Sequence, residues 1–115
     1  MLSALITIAA VQVATARPPM PATIEEALEI VQLDEACERS EYPSLRMTMY
    51  LCQEKLTSWY FTVPDNTLSP GFVRRMVIRD GKAIKMLTDS KYFGTDSQET
   101  AFFEWQTDIA ESIGQ

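Results

Sequence analysis

The sequence predicts a single α+β domain with one helix, a four-stranded antiparallel meander, a C-terminal helix and one disulfide. Three observations support this fold class. Apolar residues recur at helical spacing near both ends of the chain. Between those ends, apolar and polar residues alternate as in β-strands. Predicted strands do not take turns with helices along the chain, as they would in a parallel sheet. At 115 residues the chain has room for one domain, and its apolar fraction of 46% is ordinary for a folded protein.

Residues 1–16 have the composition of a cleavable signal peptide. They carry no charged side chain, and their apolar run is too short to span a membrane. They end in Ala-Thr-Ala, so we expect cleavage after Ala16, a Pro-rich lead-in over residues 17–22 and a folded domain over residues 23–115. Because no Lys or Arg precedes the apolar run, a buried N-terminal element and an uncleaved anchor are the alternatives.

The first helix is predicted to begin after Thr23. Thr23 and Glu26 have the spacing of a capping box, and acidic residues crowd the first turns, where the helix dipole favours negative charge. We expect the helix to end between Leu33 and Arg39. Its apolar stripe consists of Ile24, Ala27, Leu28 and Val31.

Four strands are predicted between the helices. The first two are Leu45–Cys52, which alternates apolar and polar residues, and Leu56–Val63, which is rich in aromatic and β-branched residues. Residues 64–71 have the composition of a loop. The third and fourth strands cover Phe72–Arg79 and Lys82 to about Thr88.

Asp80-Gly81 indicates a tight turn between the last two predicted strands. With this turn, Val77 lies opposite Ile84 and Ile78 lies opposite Ala83. The two pairs point to opposite faces of the sheet, so both faces are partly apolar. We expect one helix on each face; the alternative is that both helices share one face and a partner covers the other.

The final helix is predicted to begin near Asp96, because Asp96 and Glu99 repeat the capping pattern. Gly114 is expected to end it. The apolar residues that recur at helical spacing within it are Phe102, Trp105, Ile109 and Ile113.

Cys37 and Cys52 are predicted to form a disulfide, since export favours oxidation of a cysteine pair. A bond over this separation contributes about 3 kcal/mol. It also requires residues 38–44 to run outward and the following strand to run back. The reason is that the first residue of a strand ending at Cys52 lies far from Cys52, whereas Cys37 must lie beside it. The alternative is two buried free thiols.

Catalytic and metal-binding signatures are absent from the sequence. There is no histidine, no nucleophilic serine motif, no phosphate-binding glycine loop and no calcium loop. We therefore expect no cofactor and no metal site, and the absence of these signatures lowers the expectation of an enzyme without excluding an unusual one. The net charge of −6 opposes general binding to nucleic acid or to an anionic membrane surface.

Charge is sorted along the chain. Residues 25–41 and 96–111 are strongly acidic, whereas residues 74–91 carry six basic and two acidic side chains. Either the helix carboxylates meet strand Arg and Lys side chains internally, or a basic ridge around Arg79 and Lys82 docks an acidic partner. Trp59, Phe61, Phe102 and Trp105 are expected in the core. The candidate partner-binding residues are Arg75, Arg79, Lys82, Lys85, Tyr92 and Phe93.

These observations favour a small exported protein-binding module, located in a bacterial periplasm or secreted. Inhibitor, adaptor and assembly-factor roles all fit it, and its partner is expected to be an acidic protein. The alternative is a carboxylate-dependent hydrolase or small-ligand carrier, with a pocket lined by acidic residues such as Glu104 and Asp108. A homodimer formed through a sheet face is a further alternative. No stable membrane span is expected after cleavage.

Overall fold

A computed structural model describes residues 17–65 and 67–112, together with Val13. Over these residues the chain forms one five-stranded antiparallel sheet with an α-helix on each face. The α+β class is confirmed, but the strand count is five and not four. In chain order, the elements are α1 (Ile24–Leu33), β1 (Cys37–Tyr42), β2 (Met47–Cys52), β3 (Thr57–Thr62), β4 (Gly71–Asp80), β5 (Ala83–Tyr92) and α2 (Glu99–Ser112).

The expected signal peptide and its cleavage site lie outside the described residues, except for Val13. The predicted helix end at Ile113 and Gly114 also lies outside them. None of the helices in the described part of the chain is long and apolar enough to cross a membrane.

The additional strand is β1, which the sequence predicted to be the end of the first helix and an outward run. Its six residues are mostly charged or polar, so they lack the apolar alternation of a strand. They form an edge strand because Cys37 and Cys52 are register partners, with Cα atoms 4.1 Å apart and a disulfide between them. The disulfide is therefore confirmed. The chain runs out along β1, reverses in a 3₁₀ turn at Pro43–Leu45 and returns along β2.

Helix α1 begins as predicted. The Thr23 hydroxyl oxygen accepts the N–H of Glu26 at 3.0 Å, and the Glu26 carboxylate accepts the N–H of Ala22 at 2.9 Å. The first bond satisfies a backbone donor that the first helical turn leaves without a partner, and the second ties the residue before the cap to the helix. The helix ends at Leu33, and the backbone of the C-cap residue Asp34 is extended.

Helix α2 begins differently from the prediction. Asp96 lies inside a 3₁₀ turn, Asp96–Gln98, and Thr95 occupies the extended cap position before it. The helical turns therefore begin one residue earlier than the predicted cap allows, as a 3₁₀ turn, and the α-helix itself begins only at Glu99. The carbonyl of Thr95 accepts the N–H of Gln98 at 3.1 Å.

The two helices cover opposite faces of the sheet. Ala27 and Val31 of α1 are buried on one face, which we call the α1 face. The α1-face core also contains Tyr50, Cys52, Trp59, Phe61 and Phe72. On the α2 face, Phe102, Trp105 and Ile109 pack with Met47, Tyr60, Leu68 and Val73. Consecutive buried residues in β3 and β4 point to alternate faces, which is why the sheet needs a helix on each side.

The β4–β5 turn contains Gly81 and Lys82, because Asp80 pairs with Ala83. Val77 therefore lies opposite Met86 and not opposite Ile84, and Ile78 lies opposite Lys85 and not opposite Ala83. The prediction was wrong by two residues in register, which leaves every side chain on its predicted face because the strand period is two. Gly81 has φ of +63°, and a glycine at the first position of a two-residue turn favours this register.

Asp65 in the loop between β3 and β4 provides a test of local structure at low pH. Its carboxylate accepts the N–H of Thr67 at 2.7 Å and the Thr67 hydroxyl at 2.9 Å, and Arg46 lies 3.3 Å away. The Thr67 hydrogen bonds, and then Arg46, lower the pKa of Asp65 to about 2. We expect an NMR titration of the Asp65 side-chain carbon to show a midpoint near this value.

The sign of the linked stability change follows from the lowered pKa. The interaction of Asp65 stabilises the folded state above the unfolded carboxyl pKa of about 3.9, and this stabilisation is lost as the pH falls through the folded pKa. Arg46→Gln is expected to raise the midpoint slightly, since the Thr67 bonds remain. A wild-type midpoint near 3.9 would contradict the hydrogen bonding described for this loop.

Candidate functional site

The β4–β5 hairpin extends beyond the rest of the sheet. Strand β3 pairs with β4 only as far as Met76, and the last backbone bond to the β2–β3 connection is from Val77 N–H to the Leu56 carbonyl at 3.1 Å. Residues 77–86, which we call the hairpin arm, continue past this point for about 13 Å, at roughly 3.3 Å per residue. The arm is held by its own antiparallel pairing and by the turn at Gly81.

Large apolar side chains on the arm are open to solvent. Ile84 is 57% exposed and Met86 is 56% exposed. The register places both on the α2 face of the sheet, together with Val77 and Arg79. An adjacent pair of exposed apolar residues on a projecting hairpin forms a contact surface that the domain itself does not cover.

The basic residues of the arm differ in their environments. Arg79 and Lys82 are exposed and make no ion pair with the residues that the structure describes. Lys85 lies 2.7 Å from Asp80 across the turn, and Arg75 is half-buried near the end of α2. Two of the four predicted basic residues therefore present unpaired charge at the far end of the arm.

The internal charge matching that the sequence analysis set against a basic ridge does not involve these two residues. Two basic residues outside the arm do have acidic partners. Lys55 pairs with Asp34 at 3.0 Å, and Arg74 pairs with Asp89 at 2.8 Å. Asp34 follows α1, and Asp89 belongs to β5. In the described ion pairs, no carboxylate within α1 or α2 meets a basic side chain of the arm.

Tyr92 and Phe93 lie at the other end of β5, about 30 Å from Ala83 at 3.3 Å per residue. The Tyr92 hydroxyl donates to the carbonyl of Thr95, and its ring centroid lies 5.2 Å from that of Phe102. Phe93 is more open, although its ring stacks on the buried ring of Phe72. The structure therefore does not bring these two aromatic residues together with the basic residues of the arm.

The two edges of the sheet have different character. The β1 edge is short and carries Glu38, Arg39 and Glu41, and such charges discourage pairing with another strand. The β5 edge is ten residues long and includes the exposed apolar part of the arm. An edge of this kind offers backbone donors and acceptors beside an apolar surface.

No protein-family model, curated protein or solved structure matches the chain. The geometry of the arm is therefore the basis for a functional proposal.

The acidic cleft of the hydrolase alternative is not formed by its predicted residues. Glu104 and Asp108 are exposed on α2, and neither lines the cavity beside that helix. The shallow cavity beside α2 is lined by uncharged residues of the helix, such as Gln106 and Ile109, and by Arg75 of β4.

Sequence reasoning identified the basic residues of the arm but missed Ile84 and Met86. Both lie in an alternating segment, and alternation predicts burial of the apolar residues. They remain exposed because β3 ends before it reaches them and α2 does not cover them. No local signal in the sequence reports where a neighbouring strand ends.

Proposed function

We propose that this chain is an exported, disulfide-braced protein-binding module that docks an acidic protein partner through the hairpin arm. The observation that carries the proposal is the arm itself, on which exposed Ile84 and Met86 lie next to the unpaired charges of Arg79 and Lys82. Apolar side chains supply contact area, and the neighbouring cations select a partner with the opposite charge.

Export is supported by two features. The Cys37–Cys52 disulfide is compatible with an oxidising compartment, and the helices of the described residues leave no membrane span. We further propose that residues 1–16 are the signal peptide, because they are uncharged, largely apolar and end in Ala-Thr-Ala. The intact mass of the protein recovered from its host tests cleavage after Ala16.

The partner is expected to be acidic because the domain offers it a local surplus of positive charge. The arm carries Arg79, Lys82 and Lys85 against Asp80, although the whole chain has a net charge of −6. A partner that approaches the arm is attracted over about 8–10 Å at physiological ionic strength, and the more distant acidic helices are screened. Association should therefore slow as salt is added.

Charge reversal on the arm tests the proposal. In affinity capture from the exported fraction of the host, we expect the double variant Arg79→Glu/Lys82→Glu to retain at least tenfold less of the partner than the wild type, because like charges then face an acidic surface. Met86→Ser should also weaken capture through the loss of apolar contact. The bound partner is identified by mass, and its charge is read from its sequence.

The matched control is Arg39→Glu, which reverses an exposed charge on the opposite edge of the sheet. It should leave capture unchanged. Equal capture by the wild type and the Arg79→Glu/Lys82→Glu variant would remove the arm from the interface. If light scattering shows that the purified chain is a dimer that Met86→Ser dissociates, the arm binds a second copy and the proposal of an acidic partner fails.

A further inference from the structure

A second feature lies on the α1 face, away from the α2-face surface of the hairpin arm. A cavity of about 490 Å³ opens between the end of α1 and the sheet. This volume falls within the range of small-molecule sites. Its lining is mainly apolar. Apart from Val13, which the proposed cleavage after Ala16 removes, it includes Pro18, Ile30, the Cys37–Cys52 disulfide, Trp59 and Met76.

Arg74 supplies a buried cation to the lining of this cavity. It is only 3% exposed, and its guanidinium carbon lies 5.8 Å from the ring centroid of Trp59. One terminal nitrogen donates to the Asp89 carboxylate and to the Pro18 carbonyl, both at 2.8 Å. The other donates to the Pro19 carbonyl at 3.3 Å.

The Nε–H of Arg74 is buried and has no partner among the described residues. A buried donor without an acceptor costs free energy, so such groups in folded proteins usually have a partner. The residues before α1 and Asp89 already occupy the terminal nitrogens. A polar atom of a molecule bound in the cavity can supply the acceptor that Nε lacks.

The charges around the cavity favour an anion as that molecule. The charged side chains that line the cavity are those of Arg74, Lys55 and Asp34, and Arg74 shares Asp89 with Arg17. Asp34 and Lys55 both line the cavity, at the end nearest the turn of the hairpin. The lining itself thus carries two cations against one carboxylate, within a chain that is acidic overall.

We propose that the cavity binds a small amphipathic carboxylate. Its apolar body lies between Trp59, Met76 and the disulfide, and its carboxylate accepts the Nε–H of Arg74. This site uses residues of the α1 face and none of those proposed for partner docking, so each proposal can fail without the other.

Three probes of equal chain length test the site. Octanoate, 1-octanol and octyltrimethylammonium are titrated into the oxidised protein as recovered from its host, with isothermal calorimetry as the readout. We expect octanoate to bind once per chain and at least tenfold more tightly than octanol, because it alone gives a charged acceptor to Arg74. The cationic probe should bind more weakly than octanol.

Two variants locate the binding. Arg74→Met with Asp89→Asn removes the guanidinium without leaving its carboxylate partner charged, and it should weaken octanoate binding at least tenfold while octanol binding stays within twofold. Ile30→Trp leaves the sheet and Arg74 intact and fills the cavity from its half-exposed rim on α1, so it should abolish binding of both probes.

The matched control is Phe103→Ser, which removes a half-exposed apolar side chain on the opposite face of the sheet. It should leave octanoate binding unchanged. Equal affinity for octanoate and octanol, no octanoate binding at millimolar concentration, or wild-type binding by a folded Ile30→Trp variant would each overturn the proposal.

Discussion

Trp105→Ala is expected to lower the free energy of unfolding by about 3–5 kcal/mol, as in other truncations of large buried side chains. Trp105 is almost fully buried and stacks on Phe102, with ring centroids 5.5 Å apart. Its Nε1–H donates to the Leu45 carbonyl at 2.9 Å and to the Arg46 carbonyl at 3.2 Å. The side chain therefore holds α2 against the connection between β1 and β2 as well as filling the core.

Chemical denaturation of the wild type and the variant measures this loss. Domains of this size are stable by about 5–15 kcal/mol, so the variant is expected to unfold at a much lower denaturant concentration. Trp105→Phe keeps most of the ring and loses the two hydrogen bonds, and we expect a smaller loss of about 1–3 kcal/mol because two carbonyl oxygens are left without this donor.

Phe103→Ala is the matched control on the same helix. Phe103 is half-exposed on α2, so its truncation should cost much less than that of Trp105. If Trp105→Ala and Phe103→Ala proved equally costly, the packing of α2 on the sheet would not be as described. Retention of the full unfolding free energy by Trp105→Ala would contradict it outright.

Removal of the disulfide is expected to lower the free energy of unfolding by about 3 kcal/mol. Cys37 and Cys52 close a loop of fifteen residues, so the reduced unfolded chain gains conformational freedom. The bond also joins β1 to β2 at the point where both strands meet the end of α1. Denaturation with and without reductant, and of the Cys37→Ser/Cys52→Ser variant, measures the effect.

Reduction of the disulfide should loosen strand β1 more than the rest of the sheet. Apart from Cys37, it contributes little apolar surface to the core, so backbone hydrogen bonds and the disulfide hold it. We expect amide hydrogen exchange in residues 38–42 to accelerate on reduction, while the centre of β3 stays protected. An unfolding midpoint that does not change on reduction would contradict the stabilising role of the bond.

The parts of the fold that the sequence predicted correctly depend on local patterns. Thr23 and Glu26 mark the start of α1, and the spacing of Phe102, Trp105 and Ile109 marks the buried face of α2. The disulfide followed from two cysteines, and its geometry required the chain to go out and return. Each of these inferences uses residues close in sequence or a covalent bond that imposes a distance.

The errors arose where tertiary contacts outweigh local preference. Strand β1 has a charged, irregular sequence, and it is a strand because β2 pairs with it along its full length. The turn register depends on Gly81 taking a positive φ at the first turn position, whereas the Asp80-Gly81 pair suggested a turn one residue earlier. In both cases the pairing partner decides the structure.

The candidate sites also combine features that the sequence predicts with features that depend on tertiary contacts. Arg79 and Lys82 were identified from charge sorting, which composition reveals. Their lack of ion-pair partners in the described structure, and the exposure of Ile84 and Met86, depend on where β3 and α2 end. The cavity beside Arg74 depends on residues from the lead-in, α1 and four strands, which no spacing in the sequence connects.

The sequence by itself determined the α+β class, the cysteine pair and the two helices, because helical periodicity, capping and a cross-link are local or covalent properties. Only the tertiary structure decided the fifth strand, the projection of the hairpin arm and the cavity under α1. The physical reason is that pairing, exposure and enclosed volume arise between segments distant in sequence, and each depends on where its neighbours begin and end.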